Sequence, residues 1–198
     1  AKRMQCISNL KQIGSAHMMY QSDFDRLCTP PSTTYWFALL WPYHKNAMLY
    51  SCSADTVQIY KGTTGVAASI SGGLPGGLSY LYNADLAFSS TYYKRSKSFK
   101  YPSLTLYSAD GCGHFAGVGY AAAVGANDFR TPYIVGQSPG AKYFARHSSA
   151  INAMLLDGHA ETFSTKTFPI DYSDNAMPVS LRDANIFWRG TANGSAAL

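Results

Sequence analysis

The chain has 198 residues, 46% of them hydrophobic, which is enough for one domain with a true core. Charged residues make up only 14%, against an ordinary level of roughly a quarter, while 15 Tyr, 17 Gly and 9 Pro favour strands and loops over helices. No run of about 18 apolar residues occurs, so the sequence shown holds no membrane-spanning helix, and the formal charge of +5 is scattered, which argues against a nucleic-acid surface.

Residues 1–25 read as one amphipathic helix, with Cys6, Ile7, Leu10, Ile13, Gly14, His17, Met18, Tyr20 and Phe24 recurring at three- and four-residue steps. Asn9, Lys11, Gln12, Ser15 and Gln21 take the opposite face. The chain opens directly on Ala1-Lys2-Arg3 without a Met or a capping residue, and we expect a longer helix that continues upstream. Pro30-Pro31 bar its continuation downstream. Thr33 to Trp41 predicts a short second helix, capped by Thr33 or Thr34 and closed by Pro42. From Tyr43 to Gly77 the pattern is irregular, with Gly62-Thr-Thr-Gly65 and Ser71-Gly-Gly-Leu-Pro-Gly-Gly77 as turn chemistry. The glycine run lacks the Lys-Ser/Thr of a phosphate-binding loop.

Strand patterning follows. Leu78 to Asn83 alternates around two tyrosines, and Leu104 to Ala109 is a buried-strand candidate ending at Asp110-Gly111. The only local basic cluster, Lys94, Arg95, Lys97 and Lys100, fits a solvated hairpin face. Residues 112–146 predict a long crossing loop rich in Gly, Ala and Tyr. Ile151–Leu156 and His159–Phe163 flank Asp157-Gly158, the strongest hairpin signal in the chain. One helix followed by antiparallel strands predicts an α+β fold. The expected organisation is a single domain over 1–198: helix 1–25, short helix and loops 26–77, sheet region 78–168, and a C-terminal tail 169–198 that contains Ala184–Trp188 and frays at its end.

Three acid–histidine groupings are candidates for chemistry: Asp110 with His114, His147, and Asp157 with His159. Asp110, His147, Asp157 and His159 together have the donor types of a metal site or of a base with its orienting partner. The structural alternative is that both Asp residues precede Gly because turns place Asp there, with the histidines tying neighbouring turns together. Cys112 lies between glycines near His114, yet nothing independent suggests a lowered pKa. Neither Ser108 nor Ser138 sits in a nucleophile elbow. Glu161 is the only glutamate, so any paired carboxylates must be Asp. His17 reads as a satisfied core histidine. Four cysteines at 6, 28, 52 and 112 show no Cys-x-x-Cys spacing, leaving two readings open: buried thiols, or one or two disulfides of unassigned pairing.

Arg3-Met-Gln-Cys6-Ile-Ser-Asn9-Leu10-Lys11-Gln12-Ile13-Gly14 with Tyr20 resembles the segment after the membrane anchor of bacterial type IV pilin-like proteins. Within that group the chain is similar to the type II secretion pseudopilin-like set with a His-x9-Asp-Gly signature, present here as His147, Asp157 and Gly158. Trp36 with Leu39-Leu40 and Pro42-Tyr43, Cys52-Ser53, Tyr80-x-Tyr82-Asn83, and Pro102-Ser103 with Tyr107 and Asp110-Gly111 agree in order, over residues 3–163. Cys52-Ser53 departs from the family's usual Cys-Pro, and nothing beyond Phe168 matches.

The resemblance implies a pilin-like fold, its helix packed on an antiparallel sheet. It also implies a leader cut by a prepilin peptidase and an upstream apolar segment of about 20 residues. In such a fold Cys52 can reach Cys6 on the buried helix face, and we expect a Cys6–Cys52 disulfide. The implied role is a non-enzymatic structural subunit of a type II secretion pseudopilus or type IV pilus-like fibre. It would sit in the bacterial cell envelope, anchored in the inner membrane, with this domain in the periplasm or at the cell surface. Its partners would be other pilin-like subunits and the assembly machinery, not nucleic acid, and no cofactor is expected. The alternatives are an extracytoplasmic binding module for glycan or secreted substrate, supported by 14% aromatic residues, and a metal-dependent hydrolase built on Asp110, His147, Asp157 and His159. Calcium at a strand-end loop, with Asp110, Asp157, Asp171 and Asp174 as donors, is a subsidiary expectation from the resemblance.

Overall fold

The computed structural model describes residues 1–25, 35–56, 58–83, 86, 99, 101–112, 115–116, 142–143, 145–148 and 150–164. Helix α1 spans Lys2–Phe24 and ends at Asp25, which adopts the left-handed conformation and donates its N–H to the Gln21 carbonyl. Lys2 and Arg3 place positive charge at the positive end of the helix dipole, and no acidic residue occupies the first turn. The helix is therefore held by its packed face: Cys6, Leu10, Ile13, Gly14, Ala16, His17 and Tyr20 are buried. Met18 and Phe24, assigned to that face by periodicity, are instead exposed. Asn9, assigned to the polar face, is half-buried and donates to the Ser51 carbonyl at 3.0 Å.

Helix α2 spans Trp36–His44, so Pro42 lies inside it and does not close it. The proline removes one N–H from the helical ladder. Tyr50 ties the two ends of the helix from outside: its hydroxyl donates to the Phe37 carbonyl in the first turn at 2.7 Å and lies 2.5 Å from His44 Nε2 in the last. The N-cap is Tyr35, without a side-chain cap, and Thr33 and Thr34 lie outside the described residues. Short 3₁₀ helices at Ala47–Tyr50 and Gly65–Ser69 break up the stretch expected to be irregular.

Among the described residues six strands follow: β1 Tyr80–Asn83, β2 Leu106–Cys112, β3 Phe115–Ala116, β4 Lys142–Tyr143, β5 Ala150–Leu155 and β6 Ala160–Ser164. They form one sheet in the order β3-β1-β2-β5-β6, with β4 on the end of β2. The β1–β2, β2–β5 and β5–β6 pairs are antiparallel, while two-residue β3 lies parallel to β1. This is the α+β fold expected from one helix followed by strands, and it is consistent with a pilin-like architecture.

The register places Tyr80 and Tyr82, Ser108 and Asp110, and Asn152 and Met154 on one face of the sheet. That face looks at α1, and the Tyr80 hydroxyl reaches the Cys6 carbonyl. A register irregularity between Leu106 and Ser108 lets Tyr107 join the same side, where its ring centroid lies 3.9 Å from that of His17. Trp36 sits at the centre, edge-on to Tyr50 and Tyr107. Leu81, Leu106, Ala109, Ile151, Ala153 and Leu155 on the opposite face are also buried. All of β1 is therefore buried, where sequence patterning had predicted alternation.

Candidate functional site

The signature residues His147, Asp157 and Gly158 bracket β5, and each end of that strand meets α1. His147 lies on the turn that enters β5, its N–H donating to the Ala150 carbonyl at 3.3 Å. Its buried ring points at the Cys6–Cys52 disulfide, with Nε2 3.5 Å from Cys52 Sγ and 3.6 Å from Asp110 Oδ2. The bridge joins α1 to the loop after the first 3₁₀ helix, with Cα atoms 5.5 Å apart and 46 residues between them in sequence. The expected Cys6–Cys52 pairing is thus present. Cys112 lies on β2, and Cys28 lies outside the described residues.

Asp110 is fully buried. Its Oδ2 accepts the Asn152 N–H at 2.7 Å, while Oδ1 has no hydrogen-bond partner among the described residues. Burial pushes its carboxyl up to about 7, against the opposing pull of the Arg146 charge and the Asn152 N–H. His147 is pushed down to about 4, chiefly by burial and further by the charges of Arg146 and Arg3. Burial thus shifts both groups toward their neutral forms.

A second buried pair stands beside this one. Asp55 Oδ2 lies 3.2 Å from Arg146 Nη2 and accepts the Ser79 hydroxyl at 2.7 Å. Ser79 Oγ in turn accepts the Cys52 N–H at 2.9 Å. The Arg146 guanidinium also donates to the carbonyls of Ser79 and Gly111. Adjacent Arg146 and His147 therefore clamp the disulfide loop from two sides. Asp55, Ser79 and Arg146 were not singled out from sequence. The available signals were weak: Arg146 precedes a singled-out histidine, and Asp55 follows Cys52 by three residues.

At the other end, β5 and β6 form the expected hairpin, but not through a two-residue turn. Leu155 accepts the Gly158 N–H and donates to the His159 carbonyl, and Asp157 has no positive φ while Gly158 sits at +87°. This is a three-residue turn whose last position requires the left-handed conformation, which Gly158 supplies. Asp157 Oδ1 accepts from the His159 N–H at 3.2 Å and lies 2.6 Å from His159 Nδ1. Both side chains are solvent-exposed, and His159 Nε2 stands 3.8 Å from Glu161.

The Gly158 backbone meets α1 at Gly14. A Cβ added to Gly14 would fall 2.2 Å from the Gly158 carbonyl oxygen, so only glycine admits this approach. Nearby, buried His17 lies 2.5 Å from Gln21 Nε2 through its own Nε2, and burial pushes it down to about 3.

The four acid and histidine residues weighed as an alternative metal site therefore form two separate pairs. Asp110 binds the backbone at Asn152, and Asp157 lies beyond the end of β5, with about 10 Å of strand between Asn152 and Leu155 alone. The physical reason is that β5 is extended, so residues flanking it cannot converge. A hydrolase built on that quartet loses its geometry. The calcium set is divided in the same way, with Asp171 and Asp174 outside the described residues. A different donor group forms instead: among the described residues, Cys6, Cys52 and His147 have ligand atoms within 4.8 Å of one another.

Tyr20, Tyr50, Tyr80, Tyr82, Tyr107 and Trp36 are buried, and no Tyr or Trp is among the exposed large hydrophobic residues described. Nor is any helix among the described residues long and apolar enough to cross a membrane. His114, Ser138, most of 112–146, the basic cluster at 94–100 and the tail 169–198 lie outside the described residues.

A family model described as a protein of unknown function (DUF1559) matches residues 1–77. The matched stretch contains α1, α2 and both cysteines of the disulfide, and it stops before the first strand of the sheet. No curated protein and no solved structure matches the chain. The similarity over 1–77 is compatible with a pilin-like surface protein.

Proposed function

We propose that this chain is a non-enzymatic structural subunit of a pilin-like fibre, either a type II secretion pseudopilus or a type IV pilus, assembled through α1. The observation that supports this reading is the outward face of that helix. Met4, Ser8, Lys11, Gln12, Ser15, Met18, Met19 and Ser22 are all exposed, and they fall on one side of the helix at its repeat of 3.6 residues per turn. Met4 is 62% exposed, Met18 43% and Met19 44%. Only Lys11 in this set is charged. Ser15 donates back to the Lys11 carbonyl and Gln12 to the Ser8 carbonyl, so part of the polar surface is turned onto the helix itself. A face of adaptable thioethers, with one hydroxyl and one amide turned back onto the helix, suits packing against another helix better than it suits water.

On this reading α1 has two packed sides, one on its own sheet and one on neighbouring subunits. The double attachment of β5 keeps the first side rigid while the second associates. The full gene product would carry an apolar segment before Ala1, its domain would face the periplasm or the cell surface, and its partners would be other pilin-like subunits and their assembly machinery.

The test uses the full-length gene product in its native cell envelope, with a photo-cross-linking amino acid at Met18. We expect cross-links to other pilin-like subunits, abolished by Met4→Glu with Met19→Glu. Recovery of uncross-linked monomer alone would overturn the reading.

A further inference from the structure

His147 belongs to the signature read from the sequence, yet assembly through α1 makes no use of its ring. The two sulfurs beside it are bonded to each other, so the three residues form a bridge with an imidazole against it and not a set of metal ligands. We propose that His147 is the built-in proton acceptor of this bridge. In the reduced chain it takes the Cys52 proton, which makes Cys52 the sulfur that exchanges with outside disulfides and leaves Cys6 as the resolving partner.

Three observations carry this. First, His147 Nε2 stands 3.5 Å from Cys52 Sγ, and it lies within 4.8 Å of the Cys6 sulfur as well. Burial keeps the ring neutral, the form that can accept a proton. Second, the surroundings of Cys52 Sγ favour a thiolate. The Ala54 N–H donates to it at 3.4 Å, and the positive charges of Arg146 and Arg3 act on the imidazole beside it. Thiols next to cations and imidazoles ionise readily, whereas thiols in apolar surroundings stay inert. Third, the loop that holds Cys52 is fastened to the sheet. The Cys52 N–H donates to Ser79 Oγ at 2.9 Å, the Ser79 N–H to the Tyr50 carbonyl at 2.8 Å, and Asp55 meets both Ser79 and Arg146. Towards α1 the loop is joined by the bridge and by wetter ties: Asn9 to the Ser51 carbonyl and the Ser53 hydroxyl to Gln5, each at 3.0 Å. With the bridge open, a local lifting of α1 carries Cys6 away and leaves Cys52 beside His147. The other groups that face the ring are Asp110 on β2, 3.6 Å from the same Nε2, Arg146 with its partner Asp55, and Arg3 on α1. Tyr80 on β1 is pushed up by burial and stays protonated.

The steps balance with a small-molecule disulfide, such as glutathione disulfide, as the oxidant. Cys52 passes its thiol proton to His147 Nε2, and the thiolate attacks one glutathione sulfur. A Cys52–glutathione disulfide forms, and the first glutathione leaves as a thiolate that takes the proton from the ring. Cys6 then returns with α1 and gives its proton to the same nitrogen. Its sulfur attacks Cys52 Sγ, the mixed disulfide breaks, and the second glutathione leaves with that proton. Two protein thiols are oxidised by two electrons, and one glutathione disulfide is reduced to two glutathione thiols. Both cysteines are buried, so the outside disulfide enters only during the local opening.

The test takes the whole chain with Cys28→Ser and Cys112→Ser, reduced, refolded under argon and exposed to glutathione disulfide. Acid-quenched samples are mapped by mass spectrometry, and iodoacetamide alkylation of each cysteine is followed against pH. We expect the first adduct on Cys52. It should accumulate in Cys6→Ser and form at least tenfold more slowly in Cys52→Ser. The alkylation midpoint of Cys52 should lie about one unit or more below the ordinary thiol value of about 8.5. His147→Gln should raise that midpoint towards the ordinary value and slow bridge closure about tenfold near neutral pH. A purely structural role for His147 predicts the reverse, faster alkylation of a loosened chain with the midpoint unmoved. If Cys28→Ser with Cys112→Ser fails to fold, peptide mapping of the reduced wild type reads the same two sites. If His147→Gln fails to fold, the adduct site and the Cys52 midpoint in the parent chain decide. A first adduct on Cys6, a Cys52 midpoint at the ordinary value, or a midpoint unmoved in folded His147→Gln would overturn the proposal.

Discussion

Where β5 begins, it meets α1 through a disulfide, a buried imidazole, two buried carboxylates and a guanidinium. Where β5 ends, the contact is backbone against backbone, the Gly158 carbonyl against Gly14, with the side chains of Asp157, His159 and Glu161 out in solvent. Both ends hold the same strand to the same helix about two turns apart. The first end relies on groups that are costly to bury and that hold one another in place. The second relies on the absence of two side chains. An acid and a histidine are present at each end, and burial alone decides that one pair is integral to the core while the other merely trims a turn.

The sharpest way to break this contrast is Asp55→Ala, which leaves the Arg146 charge buried without its carboxylate. We expect a loss of about 3–5 kcal/mol in chemical denaturation. A loss below about 1 kcal/mol would show that Arg146 is solvated and that the first end is not a sealed polar core. Next comes the bridge itself. Cys6→Ala with Cys52→Ala, measured in metal-free buffer, frees a 46-residue loop in the unfolded chain and should cost about 4 kcal/mol. Reduction of wild type in the same buffer should reproduce most of that loss.

At the second end, Gly14→Ala drives a Cβ into the Gly158 carbonyl, and we expect a loss of about 2–3 kcal/mol from displacement of α1. Unchanged stability there would mean that the hairpin can withdraw from the helix at little cost.

One turn beyond Gly14 on α1, His17 gives a pH signature. Its folded pKa of about 3 lies below the ordinary value of 6.5, so the unfolded chain binds the proton first. Its stabilisation is complete above pH 6.5 and is lost as pH falls toward 3, with a slope of about 1.4 kcal/mol per unit between pH 6 and 4. Replacing it by His17→Gln should remove one proton from that slope, read from denaturation midpoints across the range, while His147 contributes in the same direction. The smallest effect is expected from His159→Ala. Its partners Asp157 and Glu161 are solvent-exposed, so the change should stay within about 0.5 kcal/mol.

The periodicity of residues 1–25 correctly indicated α1, because one apolar stripe on a helix has few other uses, and Asp157-Gly158 correctly marked a hairpin. The Cys6–Cys52 pairing was legible only through the family resemblance, since four cysteines permit several connectivities. The finer turn geometry was not legible. An Asp-Gly pair is compatible with more than one hairpin loop, and the backbone hydrogen bonds at Leu155 decide between them. Gly14 reads in sequence as a small residue on an apolar stripe, and its necessity emerges only when a carbonyl from residue 158 arrives beside it.

By itself, then, the sequence determined what short-range pattern and backbone chemistry can specify: one amphipathic helix, an α+β order of elements, and a hairpin turn at Asp157-Gly158. The tertiary structure decided which polar residues are buried and with whom. Asp55 meets Arg146 across 91 positions of chain, and Asp110 meets His147 rather than Asp157. Burial and charge pairing depend on which segments the sheet register brings together. No local pattern encodes that register, so the functional weight of each acid and histidine became visible only in the folded chain.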